Sequence, residues 1–319
     1  MAAESSISGN LGLLAQDYAH RILVDTSALS EMREFFPEPM DFFRAVSPQD
    51  LDIAALEGFR NSFDDYRAIL ESGKIITVSP VVSEFERYSR LVGRTSRLLA
   101  AIRKGKSKKV RHTEARHYEA TSWDEELALP RKPDRYRAAG ITQQEMVIAE
   151  TVSAMKQLGR KLDACVFMPG NTDLYHDLED IVMEIGINGK AGKNDEPLFD
   201  ENYNGADVSV VTAALYRTLV GNEPVAVATR DNGILYLLGS ACNYLSFIHP
   251  DIMRALHDYP VTVAKTFNYN PDNFVSTSRF DRGHAQLYPN DVQRERIWRY
   301  RVEEVMHRIV DAPKAAMIA

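Results

Sequence analysis

Four acidic residues stand where an α/β protein would gather a divalent cation: Asp25, Glu84, Asp207 and Asp231. Asp25 ends the apolar run RILVD (21–25), and Asp231 lies just past the run PVAVAT (224–229). Glu84 falls one turn beyond IITVS (75–79), and Asp207 opens the apolar stretch GADVSVVTAAL (205–215). In open α/β sheets, ligands bind outside the carboxyl ends of the strands, which is where these acids fall by sequence position. Converging carboxylates repel: two of them about 4 Å apart cost about 4 kcal/mol at an effective dielectric near 20. A divalent cation removes that penalty, and oxygen-only ligands favour Mg²⁺ or Mn²⁺ over zinc. Such an ion, with water in its remaining positions, can activate a nucleophile and steady the charge that develops on a phosphodiester. His112 and His117 have no second pair to make a zinc site.

Each acid also has a plainer role open to it. Asp25 could cap a following helix, and Asp207 could sit at a helix start for the dipole. Asp231 could be a turn residue in Arg-Asp-Asn-Gly. Glu84 has a neighbour in Glu86, and Asp195, Asp200 and Glu201 lie close to Asp207 in the chain. The agreement of four acids favours the metal reading. Ser27 and Thr229 are its supporting hydroxyls, placed to bond a water or a ligand carboxylate. Their alternative is a backbone bond at an element end.

The elements that would position these residues follow from periodicity. RILVD, IITVS, PVAVAT and VTVAKTF (261–267) read as strands, the first a buried one of parallel type. Phe59, Phe63, Tyr66 and Leu70 recur at helical spacing before Gly73, a C-terminal cap. Pro80 opens a helix carrying Glu84. Thr142 and Glu145 form a capping box for a helix that Gly159 ends. An amphipathic helix is expected over 173–187, a loop over 188–204, and a helix from Asp207 with Val208, Val211, Leu215 and Leu219 inward. A short helix ILYLLG follows Asp231, and a last helix carries Trp298, Val302, Val305 and Ile309 on one face. Strands alternating with helices make an α/β domain with a mainly parallel sheet.

The chain has 319 residues, 45% hydrophobic and 26% charged, enough for a real core. Its net charge of -7 makes the whole molecule a poor nucleic-acid binder, so any such contact must be local. A basic segment supplies one: Arg90, Arg94, Arg97, Arg103, Lys104, Lys106, Lys108, Lys109, Arg111 and Arg116 stand against the single acid Glu114. It follows the Glu84 helix and could reach a phosphate backbone, or be a solvated loop. Tyr269, Phe274 and Phe280, with Arg279 and Arg282, could stack bases, although core or subunit packing is the stronger reading. Cys165 and Cys242 are distant and suit free thiols. No secretory signal and no 18-residue apolar span is visible, so a cytoplasmic protein without membrane contact is expected.

Four of these stretches resemble the PIN domain family, in the family's order. VDTSAL (24–29) resembles its opening strand, with a hydroxyl residue two places after the Asp. VSPVVSEFER (78–87) is similar to its second strand and helix, with Glu84 at the acidic position. GADVSVVTAAL resembles the helix bearing the third acid, and VAVATRDNGIL (225–235) the fourth strand, with Thr229 and Asp231 in place. The resemblance implies a three-layer α/β/α sandwich around a mainly parallel sheet. It also implies Mg²⁺ or Mn²⁺ dependence and a flap-nuclease-like endoribonuclease that leaves a 5′-phosphate. Many small members are toxins paired with antitoxins, so an inhibitory protein partner joins RNA among the expected partners. The PIN-like core would occupy 18–89 and 160–268, with a helical insertion at 90–159 and a C-terminal appendage at 269–319. The last helix makes a homodimer plausible. The rival functions are a catalytically silent PIN-fold module binding RNA or protein, and another Mg²⁺-dependent phosphohydrolase.

Overall fold

Unbroken apolar runs can be buried on both faces, and three of them form the centre of the sheet. The computed structural model describes residues 7–29, 66–86, 150, 153–188, 190–191, 196–197, 205–265, 275–276, 287–288 and 290–311. The chain divides into two compact units, 1–29 with 69–82 and 162–319, and 30–68 with 83–161. The strands, in chain order, are β1 (Arg21–Val24), β2 (Ile75–Ile76), β3 (Lys190–Ala191), β4 (Glu196–Pro197), β5 (Val225–Thr229), β6 (Val261–Lys265) and β7 (Val275–Ser276). The helices described from end to end are α1 (Ile7–Asp17), α2 (Thr26–Leu29), α3 (Thr172–Asn188), α4 (Gly205–Leu219), α5 (Asn232–Ile248), α6 (Pro250–Asp258) and α7 (Val292–Asp311).

The main sheet belongs to the first unit and has the order β2-β1-β5-β6-β7. Pairing is parallel from β2 to β6, and β7 runs antiparallel to β6. The chain is therefore α/β with a mainly parallel sheet, as the alternation of runs implies. From β1 the chain steps to β2 on one side, and later returns to place β5 and β6 on the other. The boundary between β1 and β5 is thus the topological switch point of the sheet, where α/β proteins open a crevice. Ile22, Leu23 and Val24 and all five residues of β5 are buried. Leu23, Val227 and Val263 form one cross-strand row inside the main apolar cluster.

That cluster draws on α3 to α7. At its centre α4 packs on β1, β5 and β6 and against α3, α5 and α6. The sequence suggests one inner face for α4, yet every residue from Val208 to Leu219 is buried. A helix covered all round needs an apolar circumference, and the small residues Ala206, Ala213 and Ala214 supply the faces that the Val/Leu stripe does not. Its buried Arg217 pairs with Glu223, and its guanidinium stands 5.4 Å from the Phe167 ring centroid. α7 places Trp298, Val302, Val305 and Ile309 in the same core. Its Arg294, Arg301 and Arg308 pair with Glu184, Asp180 and Asp177 of α3 at 3.4, 2.8 and 2.6 Å. Each exposed pair adds little stability, but the three at seven-residue steps set an antiparallel register.

Several boundaries differ from those expected. Strand structure in IITVS is limited to β2, with Thr77 forming one parallel bridge to Val166, and the helix begins at residue 79. The helix described from 153 continues through Gly159 to residue 164. Burial of Met155, Leu158 and Leu162 carries its apolar period past the glycine, offsetting a propensity cost of about 1 kcal/mol. The loop expected at 188–204 contains the β3–β4 pair. The helix after Asp231 runs to Ile248, and β7 follows β6, which the sequence predicts to be the last strand. Tyr66 and Leu70 are buried as expected. In the second unit, Phe85, Met155 and Leu158 are buried, with the Phe85 ring beside Gly159.

Gly73 has φ 72°, and a methyl group there would meet no atom within 4 Å. Its carbonyl accepts from Arg21, while Lys74 Nζ donates to the Ala15 and Tyr18 carbonyls at 2.7 and 2.8 Å, closing the end of α1. Gly73→Ala therefore adds backbone strain without a clash. Urea unfolding is expected to show a loss of about 1–2 kcal/mol with an unchanged m-value.

Candidate functional site

Parallel pairing of β1 with β5 sets Val24 beside Ala228, so the residues that follow, Asp25 and Thr229, emerge together at the switch point. The ladder continues one step, with the Asp25 amide donating to the Ala228 carbonyl at 3.1 Å. Asp25 is 4% exposed. Its Oδ1 accepts from the Thr26 amide at 2.7 Å. Its Oδ2 accepts from the Ser27 amide at 3.2 Å, from the Ser27 hydroxyl, and from the Thr229 hydroxyl at 3.0 Å. The bond from the Ser27 amide is that of a helix N-cap, so Asp25 also caps α2 in the way its plainer role suggests.

The hydroxyls tie this carboxylate to the far strand. Ser27 Oγ accepts from the Arg230 amide at 2.9 Å, and Thr229 Oγ1 accepts from the Asp231 amide at 2.9 Å. Each hydroxyl has one proton to give. With Asp25 ionised, both protons point at Oδ2, and the 3.1 Å contact between Ser27 Oγ and Thr229 Oγ1 carries none. With Asp25 protonated, one hydroxyl turns to the other across that contact. The network accommodates both charge states.

Burial raises the Asp25 pKa above the ordinary carboxylate range. Bonds from the Ser27 and Thr229 side chains and from the Ser27 and Thr26 amides pull it down, but by less than burial pushes it up. Among the described residues no cation forms an ion pair with it. A buried carboxylate with elevated proton affinity, at the switch point of an α/β sheet, is a candidate functional group.

Asp231 is exposed and caps α5, its Oδ1 accepting from the Gly233 amide at 2.7 Å. Asp207 stands half-buried in the first turn of α4. Glu84 is half-buried in the helix 79–86 and falls in the second unit. Among the described residues no three His, Cys, Asp or Glu side chains are grouped closely enough to hold a metal ion. Asp25, Ser27, Thr229 and the Asp231 backbone are thus linked directly. The basic residues Arg90, Arg94, Arg97, Arg103, Lys104, Lys106, Lys108, Lys109 and Arg111 lie outside the described residues, as do Asp195, Asp200, Glu201 and the aromatic stretch 269–274. The Arg230 and Thr26 amides are parts of the site that sequence reading missed, because backbone donors leave no residue-type signal.

No family model matches the chain, and neither a curated protein nor a solved structure matches it. Among the described residues no helix is long and apolar enough to cross a membrane.

The raised Asp25 pKa has a signed consequence. An acid whose folded pKa lies above its unfolded value, about 3.9, adds stability at low pH, and that contribution is lost as pH rises through the folded value. In metal-free buffer, wild type should therefore lose stability relative to Asp25→Asn from about pH 4 upward. Urea unfolding of both proteins at several pH values checks this. Thr229→Val removes one donor to Asp25 and the acceptor of the Asp231 amide, and is expected to cost about 1–3 kcal/mol at neutral pH in the same assay.

Proposed function

We propose that the chain is a divalent-metal-dependent endoribonuclease with a PIN-like three-layer α/β/α core, using Mg²⁺ or Mn²⁺. The observation that carries this reading is the buried Asp25 carboxylate, held by Ser27 and Thr229 at the β1–β5 switch point without a cationic partner among the described residues. Its Oδ1 has one amide donor, which leaves acceptor capacity for a cation. A cation there would also offset the burial that raises the proton affinity of Asp25. The donor set is all oxygen, which suits Mg²⁺ or Mn²⁺.

Asp25 would anchor the ion, with Asp231 and Asp207 of the same unit completing the set, and Glu84 is a ligand implied by the resemblance alone. When bound, the cation supplies the Lewis acidity that activates a water and steadies charge on phosphorus. Ser27 and Thr229 aim their protons at Oδ2 and so orient the carboxylate. The Thr229 hydroxyl also fixes the Asp231 backbone, keeping the second strand end in register with the first. RNA is the proposed substrate, with the basic segment from Arg90 to Arg111 contacting its backbone. An inhibitory protein partner and a homodimer are further proposals of the same reading.

One observation favours a second reading. The Asp231 carboxylate is engaged in capping α5, and the described acids form no three-membered group. A catalytically silent PIN-like module that binds RNA would need no such group.

End-labelled single-stranded RNA, incubated with the purified protein and Mn²⁺ or Mg²⁺, distinguishes the two. Cleavage is expected, abolished by EDTA and reduced by about a hundredfold or more in Asp25→Asn. Salt-sensitive RNA binding without cleavage by folded, metal-loaded protein would establish the silent module instead. Phosphate release from small nucleotides with no RNA cleavage would point to a phosphohydrolase.

A further inference from the structure

A second cluster of ligating side chains lies apart in sequence from the acids, at the junction of α5, α6 and α7. His249 ends α5 and begins α6 in extended conformation. Its backbone is fixed on both sides, the amide donating to Leu245 at 2.9 Å and the carbonyl accepting from Ile252 at 3.1 Å. The ring is buried, and its Nε2 stands 3.4 Å from Nδ1 of His307 on α7. The rings meet edge to face, with an interplanar angle of 84° and centroids 4.9 Å apart. His307 is exposed, so solvent reaches one side of the pair.

Two nitrogens bound at about 2.0–2.1 Å to a tetrahedral ion stand about 3.3–3.4 Å apart. The observed separation matches that edge. The other nitrogen of His249, Nδ1, is buried with no hydrogen-bond partner among the described residues. It faces Asp251 Oδ2 at 4.0 Å, while Asp251 Oδ1 is held by Arg254 at 3.4 Å. A carboxylate on the far nitrogen is the usual companion of a metal-bound imidazole, because it favours the tautomer with N–H on that side and a lone pair on the other. At 4.0 Å its influence is electrostatic rather than a formed hydrogen bond.

We propose that His249 Nε2 and His307 Nδ1 form a two-imidazole site for a divalent transition-metal ion of the Zn²⁺ type, clipping α7 to the α5–α6 junction. Imidazole ligands select zinc, copper or nickel over magnesium, so this site is chemically distinct from the all-oxygen one and stands independently of the nuclease reading. Water fills the remaining positions, entering on the exposed side of His307. Without metal, the two ring nitrogens are joined by a hydrogen bond.

The test is calorimetric titration of the full-length protein with ZnCl₂, in excess Mg²⁺ to occupy oxygen-only sites. Saturable one-to-one binding is expected, with a rise in Tm that the same titre of Mg²⁺ does not give. His307→Gln, at an exposed position, should retain the fold and bind Zn²⁺ about tenfold more weakly or worse. His257→Gln, an exposed histidine beside Asp258, should bind as wild type does. Absence of saturable Zn²⁺ binding to wild type, or equal binding by His307→Gln, would overturn the proposal and leave a plain hydrogen bond between two histidines.

Discussion

The register of β1 against β5 is the constraint on which the site depends. Their parallel pairing aligns Val24 with Ala228, and residues more than two hundred positions apart then share one hydroxyl network. A slip of one residue would exchange the two faces of β1. Leu23 would leave the main apolar cluster, and Asp25 would no longer face Thr229. The same apolar burial that stabilises the sheet therefore enforces the geometry of the polar groups at its end. Core and site are specified by one pairing.

Beyond that pairing, the structure supports a carboxylate in a place hostile to charge. Asp25 has four donors and is still pushed toward its neutral form. The donors are short and locally supplied, three of them from the two residues that follow it. The fourth, Thr229, comes from the neighbouring strand. This division makes orientation a local property and accuracy of placement a tertiary one. A cation would convert the unfavourable burial of Asp25 into a binding force.

Much of this was legible in the residues. RILVD, PVAVAT and VTVAKTF read as strands from their runs of β-branched and small apolar residues, the first as a buried one, and they form the centre of the sheet. Asp25 and Asp231 could be placed at strand ends by counting, and Ser27 and Thr229 as their supports by chemistry. What did not show was set by tertiary contacts. Packing carried a helix through Gly159, extended α5 to Ile248, and buried α4 on every side. A periodicity of apolar residues reports the first face to be buried, not the second. Backbone donors such as the Arg230 amide are invisible to residue type altogether. The fourfold convergence of acids expected from their order is a separate matter, since Glu84 and Asp207 were placed on helices whose approach no local pattern encodes.

Among the described residues, the sheet ends in minimal pairing on both sides. Beyond β2 there is one bridge, from Thr77 to Val166, and beyond β6 there is the two-residue antiparallel strand β7. A long bare strand edge would offer its amides and carbonyls as a template to any passing chain. Among the described residues, the outermost pairing on either flank is only one or two residues long, a short template for a foreign strand. The buried parallel centre, the stretch most prone to self-association if exposed, is enclosed by terminations too short to propagate. Such borders would protect the folded protein at high concentration without help from surface charge.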